Sequence, residues 1–123
     1  MKRSTFLRAT LSALALSVGI TPAMANEYPS RAIELVVPFA VGGGTDAVAR
    51  AFADSAQKYL PQGVVVVNRP GAAGAIGHFE GASAKADGYK LTMVTPEINL
   101  ALLQGIGKAK AQDFKFIARL NID

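Results

Sequence analysis

The sequence predicts an α/β fold with a parallel sheet and flanking helices. Short apolar runs at 33–39, 64–67, 90–95 and 114–120 alternate with stretches of helical period. The runs are nearly continuous rather than alternating, which suits strands covered on both faces. The first two also end in glycine-rich joints, Gly42-Gly43-Gly44 and Gly71 to Gly77, that open onto helical stretches. Strand–helix alternation implies right-handed crossovers and a parallel sheet. Every strand-to-helix loop then leaves from one edge of the sheet, where open α/β sheets take their ligands.

In chain order, Asn26 to Arg31 is a polar lead-in, extended before Pro29. Strand one carries Ile33, Leu35, Val36, Val37 and Phe39, with Pro38 expected at the strand end because it has no N–H to donate. A helix is expected over Thr45–Tyr59, with Val48, Phe52, Ser55 or Ala56, and Tyr59 as its apolar stripe. Pro61-Gln62-Gly63 stops it. Val64 to Val67 is a β-branched second strand. The glycine loop Gly71 to Gly77 runs into a small-residue helix reaching about Ala86, and Ala86-Asp87-Gly88-Tyr89 makes a turn. Strand three is expected over Lys90–Thr95, a helix over Glu97–Gln104 after Pro96, and a fourth strand over Phe114–Leu120.

Ahead of this body, residues 1–25 have the pattern of an export signal. Lys2, Arg3 and Arg8 precede the apolar segment Leu11–Ile20, and Ala23-Met24-Ala25 follows as a small-x-small cleavage site. The apolar segment is shorter than the roughly 20 residues a membrane span needs. Three of the 13 basic residues lie in the leader. The 98 residues from Asn26 to Asp123 therefore carry ten basic against nine acidic residues, a net of +1, so the pI of 9.6 is largely the leader's. No basic cluster interleaved with aromatics points to nucleic acid. Absence of cysteine excludes disulfides, thiolate metal sites and cysteine nucleophiles. A single histidine argues against a histidine-rich metal site or a Ser-His-Asp triad. No catalytic residue, metal site or cofactor is expected. Ninety-eight residues suffice for one core, but the chain stops just after the fourth apolar run, as if inside a repeating strand–helix pattern.

Three loops are candidate sites. At Gly42 to Asp46, a bare turn meets a helix N-terminus, so the N–H groups of Gly43, Gly44 and Thr45 and the Thr45 hydroxyl would hold an anion. The competing reading is a plain βα turn with a threonine cap. Asp46 would repel an anion beside it, and is expected to point away or to meet a donor on the ligand. Gly42, Gly44 and Ala47 also match G-x-G-x-x-A, a small nucleotide-binding oxidoreductase pattern, but Asn68 stands where its acidic partner belongs. In the second loop, Gly71, Ala72, Ala73 and Gly74 either approach a ligand or let the next helix pack closely. Arg69 either supplies charge to an anionic ligand or, the favoured reading, pairs with a neighbouring carboxylate. In the third loop, Thr95 is a ligand group or an N-cap. His78 reads as a surface or packing histidine, and Lys108, Lys110 and Lys115 as a solvated face.

The blocks Y-P-S-R-A-I-E-L-V-V-P-F-A-V-G-G-G-T-D, V-V-N-R-P-G-A-A-G-A-I-G and A-D-G-Y-K-L occur in order over 28–91, and T-P-E-I-N-L through D-F-K-F-I-A-R-L-N carries the pattern on to 121. Together they resemble the substrate-binding receptors of tripartite tricarboxylate transporters, the TctC-like or Bug group. The resemblance implies a periplasmic, non-enzymatic receptor of the type II periplasmic binding protein kind, whose two α/β lobes close on a small organic carboxylate. Its partners would be a di- or tricarboxylate or similar acid and the membrane permease subunits. Residues 26–123 would be an incomplete N-terminal lobe. Carried over, the ligand-binding positions are Phe39, Gly42, Gly43, Gly44, Thr45 and Asp46, then Gly71, Ala72, Ala73 and Gly74, with Thr95 in addition. Ala40, Val41 and Val67 depart mildly from the family pattern. The larger departure is the missing second lobe, so the chain alone is expected to bind carboxylates weakly or not at all. A nonfunctional truncated remnant of such a receptor is the remaining alternative.

Overall fold

The computed structural model describes residues 27–121; the leader pattern of 1–25 lies outside them. Strands β1 (Ile33–Val37), β2 (Val64–Asn68) and β3 (Lys90–Thr92) form one parallel sheet in the order β2-β1-β3. Ile33 pairs with Val64 and Val37 with Asn68 on one side of β1, while Glu34 to Val36 pair with Lys90 to Thr92 on the other. Helices α1 (Gly44–Ala56), α2 (Ala75–Ala82) and α3 (Glu97–Leu103) connect and follow the strands. A short 3₁₀ turn, Ala72–Gly74, precedes α2.

The strand order decides where the helices go. From β1 to β2 the chain steps one way across the sheet, and from β2 to β3 it steps back past β1. Right-handed crossovers therefore send α1 and α2 to opposite faces. Ile33, Leu35 and Val37 pack with Ala49, Ala53 and Val64 to form the core beneath α1. Small residues on that face of α1 let it lie close to the sheet. On the other face α2 approaches still more closely. A Cβ on Gly77 would stand 2.6 Å from Pro38 Cα and 2.9 Å from the Arg69 carbonyl oxygen. Lys90 Nζ bridges Glu34 (3.2 Å) and Glu80 (2.9 Å), and Arg69 Nε reaches Glu80 at 2.8 Å, so ion pairs tie α2 to β1, β3 and the end of β2.

Several expected bounds are corrected. Helix α1 ends at Ala56, and its buried line is Asp46, Ala49 and Ala53; Tyr59 is exposed because the chain has already left the helix. Helix α2 ends at Ala82 rather than Ala86. Strand β3 stops at Thr92, although the Met93 N–H still donates to the Val36 carbonyl at 2.9 Å. No strand forms at Phe114–Leu120. A strand exists by virtue of a partner edge, and none of the described residues pairs with this run. Phe116, Ile117 and Leu120 are left exposed. Pro38 does fall just past the end of β1, buried under α2.

Candidate functional site

The carboxyl ends of β1 and β2 form the sheet edge from which α1 and α2 depart to opposite faces, the edge at which open α/β sheets take ligands. Both glycine loops border it. They are joined through the sheet end: the Arg69 N–H donates to the Val37 carbonyl at 2.8 Å, and Asn68 Nδ2 donates to the Phe39 carbonyl at 3.0 Å. The Phe39 ring reaches under the second loop, with Cζ 3.2 Å from where a Cβ on Gly74 would lie. The third loop arrives from β3, and its Thr95 N–H donates to His78 Nε2 at 3.4 Å. Phe39, Gly74, His78 and Thr95 thus lock the three loops together.

In the first loop Gly42 takes φ +85°, the left-handed turn that glycine adopts without strain, and Gly43 serves as N-cap of α1. Thr45 makes no capping bond. The first backbone bond of the helix runs from the Ala47 N–H to the Gly43 carbonyl, at 3.0 Å. The Gly43 N–H, expected among the anion donors, donates to the Ala40 carbonyl at 3.4 Å, so the free donors of this helix N-terminus are the N–H groups of Gly44, Thr45 and Asp46. With Gly44 exposed and Thr45 half-exposed, the site offers backbone nitrogens and the positive end of a 13-residue helix.

Asp46 does not oppose that field. Its carboxylate is buried and accepts the Gly42 N–H (2.8 Å), Arg50 Nε (3.0 Å) and Asn68 Nδ2 (2.9 Å). Arg50 foremost, then the Gly42 amide and Asn68, hold its pKa far below the ordinary carboxylate range, and Asp46 in turn raises the pKa of Arg50. The charge is matched on the spot. The group acts as a strut binding the loop to α1 and to the end of β2. Arg50 and Asn68 escaped the sequence reading as members of this site, though an Asp–Arg pair four apart on a helix is a readable signal.

The second loop is built from left-handed backbone. Gly71, Ala72, Ala73 and Gly74 have φ of +131°, +47°, +50° and +87°. Ala72 and Ala73 are exposed non-glycine residues in a conformation that costs on the order of 1–3 kcal/mol each. Such strain gathers at ligand clamps. Arg69 is spent on Glu80. Thr95 has its N–H committed to His78 and its hydroxyl buried without a hydrogen-bond partner. That hydroxyl lies near enough to the Glu97 carboxylate to lower its pKa. His78, read as a surface or packing residue, is fully buried. A shallow depression of about 370 Å³ lined by Leu60, Pro61 and Val64 lies at the opposite, amino end of β2 and shares no residue with these loops.

The pattern of the tripartite tricarboxylate transporter family receptor matches residues 48–121. Protein BugT of Bordetella pertussis is 42% identical over 99 residues, covering 80% of this chain and 30% of that protein. The chain therefore spans less than a third of that relative's length. Among solved structures, a TctC solute binding protein from Polaromonas, without ligand, superposes with TM-score 0.66 at 46% identity over 71% of this chain and 30% of its own. R. palustris Rpa4515 with adipate superposes with TM-score 0.54 at 42% identity, over 58% of this chain and 24% of its own. With the family pattern matching more than half of its residues and the fold shared with solved members, the chain belongs to the tripartite tricarboxylate transporter receptor family.

Proposed function

We propose that this chain forms one wall of a receptor site for a small organic carboxylate, exported to the periplasm and serving transporter permease subunits rather than catalysing a reaction. The observation that carries the reading is the pair of loops at the carboxyl ends of β1 and β2, with free helix N–H groups in one and strained, side-chain-poor backbone in the other. Carboxylate oxygens suit such a rim. They accept several N–H bonds at once, and charge-assisted bonds of this kind are about twice as strong as neutral ones. The adipate held by one solved relative has that chemistry. Export is supported by the charged, apolar and small-residue pattern of 1–25, and by a solved relative described as a periplasmic binding protein.

In this reading Gly43, Gly44, Thr45, Ala72 and Ala73 face the ligand. Asp46, Asn68 and Arg50 hold the first loop, and Phe39 and Gly74 seat the second. Thr95 contributes through the position of its loop. A single wall leaves a ligand half in water, so residues 26–123 act as an incomplete lobe.

Calorimetry with adipate, citrate and a dicarboxylate panel tests this on two proteins: the chain, and a chimaera in which its residues 27–121 replace the equivalent part of the Polaromonas relative. The chain alone should bind with Kd on the order of 1 mM or weaker, about −4 kcal/mol. The chimaera should bind at least one acid a hundredfold or more tighter, about 2.7 kcal/mol. Micromolar binding by the chain alone refutes the single-wall reading. A folded chimaera that binds no member of the panel refutes the carboxylate reading.

A further inference from the structure

We propose that His78 is the positioning residue of the rim, holding the Thr95 loop against the Gly71–Gly74 loop only while its imidazole is neutral. The ring is fully buried in the first turn of α2. Its Nε2 accepts the Thr95 N–H at 3.4 Å, and its Cε1 lies 3.3 Å from the point a Cβ on Gly74 would occupy. One side chain thus touches the second and third loops, with Phe39 of the first loop against the same glycine.

The hydrogen bond fixes the tautomer. A ring nitrogen that accepts is unprotonated, so the neutral ring carries its proton on Nδ1. That Nδ1 is buried with no partner, and the Thr95 hydroxyl beside this contact is equally unpartnered. Protonating Nε2 would set an N–H against the Thr95 N–H, and would place a charge in the interior near a helix N-terminus.

Few charged groups surround the ring. From α3, Glu97 faces it and favours the charged ring, but burial outweighs this and lowers the pKa. On α2 itself, Glu80 is paired with Arg69 and Lys90, and Lys90 of β3 is paired with Glu34 and Glu80. The end of β1 and the Gly71–Gly74 loop carry no charged side chain. A ring whose folded pKa lies below its ordinary 6.5 contributes stability that is whole above 6.5 and is lost as pH falls below it. Acidification thus releases the third loop from the rim.

What this does to ligand affinity rests on the carboxylate reading; the positioning itself does not, and its test uses no ligand. The chain has one histidine, so its ring resonances are unambiguous in a ¹⁵N-labelled sample. The expected result is a neutral ring protonated on Nδ1 that titrates below 6.5, with the Thr95 and Gly74 amides shifting at the same midpoint and the Thr95 amide losing exchange protection below it. In His78→Gln the side-chain oxygen can still accept the Thr95 N–H, so amide protection should persist while the midpoint disappears. A proton on Nε2, a midpoint at or above 6.5, or Thr95 and Gly74 amides indifferent to the ring's titration overturns the proposal. The wild-type titration alone decides this if the glutamine variant does not fold.

Discussion

Replacing Gly77 by alanine tests whether α2, and with it the second loop, is held where the sheet places it. The added methyl would lie 2.6 Å from Pro38 Cα, 2.8 Å from Pro38 Cβ and 2.9 Å from the Arg69 carbonyl oxygen. Two of these are backbone atoms and the third belongs to a rigid ring, so no rotamer change relieves the clash. Ordinary carbon contact begins near 3.5 Å, which requires α2 to withdraw by roughly 0.9 Å. Overpacking of this kind costs about 1–3 kcal/mol. Alanine returns about 1 kcal/mol through helix propensity. The net expectation is a loss of up to about 2 kcal/mol in urea unfolding, together with shifted amides in 71–74. Gly44→Ala is the control: nothing lies within 4 Å of its Cβ and its φ is not left-handed, so it should be neutral or stabilise by up to about 1 kcal/mol. A Gly77→Ala variant as stable as the wild type, with unmoved loop amides, refutes the close packing of α2 on the sheet.

Three further outcomes are expected. Asp46→Asn should lower the urea midpoint at neutral pH and free the Gly42 amide. Because Asp46 has a depressed folded pKa, its contribution is present above the ordinary 3.8 and is lost as pH falls below it, so the gap between variant and wild type should narrow there; a constant gap counts against the charged strut. Gly74→Ala combines a left-handed φ of +87° with contacts at 3.2 Å to Phe39 and 3.3 Å to His78, and should cost about 1–2 kcal/mol by thermal unfolding; an unchanged Tm would contradict the loop conformation. Lys90→Met strands the part-exposed Glu34, leaves Glu80 with Arg69 alone and should cost about 0.5–1 kcal/mol in low salt, less in high salt; no salt dependence would remove the bridge from the account.

The sheet was legible where a residue pattern had one physical solution. Continuous apolar runs at 33–37 and 64–67 admit little but parallel strands between helices, and the glycine joints mark where the chain turns over the sheet edge. That Arg69 would pair with a carboxylate was the favoured alternative, but only folding shows that the partner is Glu80. What failed depended on partners that lie apart in sequence. Phe114 to Leu120 has strand composition, yet composition cannot supply a neighbouring edge. Tyr59 fits the helical period, but the chain leaves the helix before reaching it. The site was half readable. Its glycines were visible, whereas left-handed Ala72 and Ala73 were not, because alanine gives no hint of such backbone. Asp46 read as a problem for an anion until Arg50 and Asn68, brought together by folding, absorbed its charge.

The central claim is that peptide N–H groups of two loops hold one carboxylate from the same sheet edge. Amide shifts of the labelled chain during titration with adipate test it directly. The account predicts that Gly43 to Asp46 and Ala72 to Gly74 move together, with one shared dissociation constant. Shifts confined to the lysines of 108–115, or to the depression around Leu60 and Val64, would contradict it.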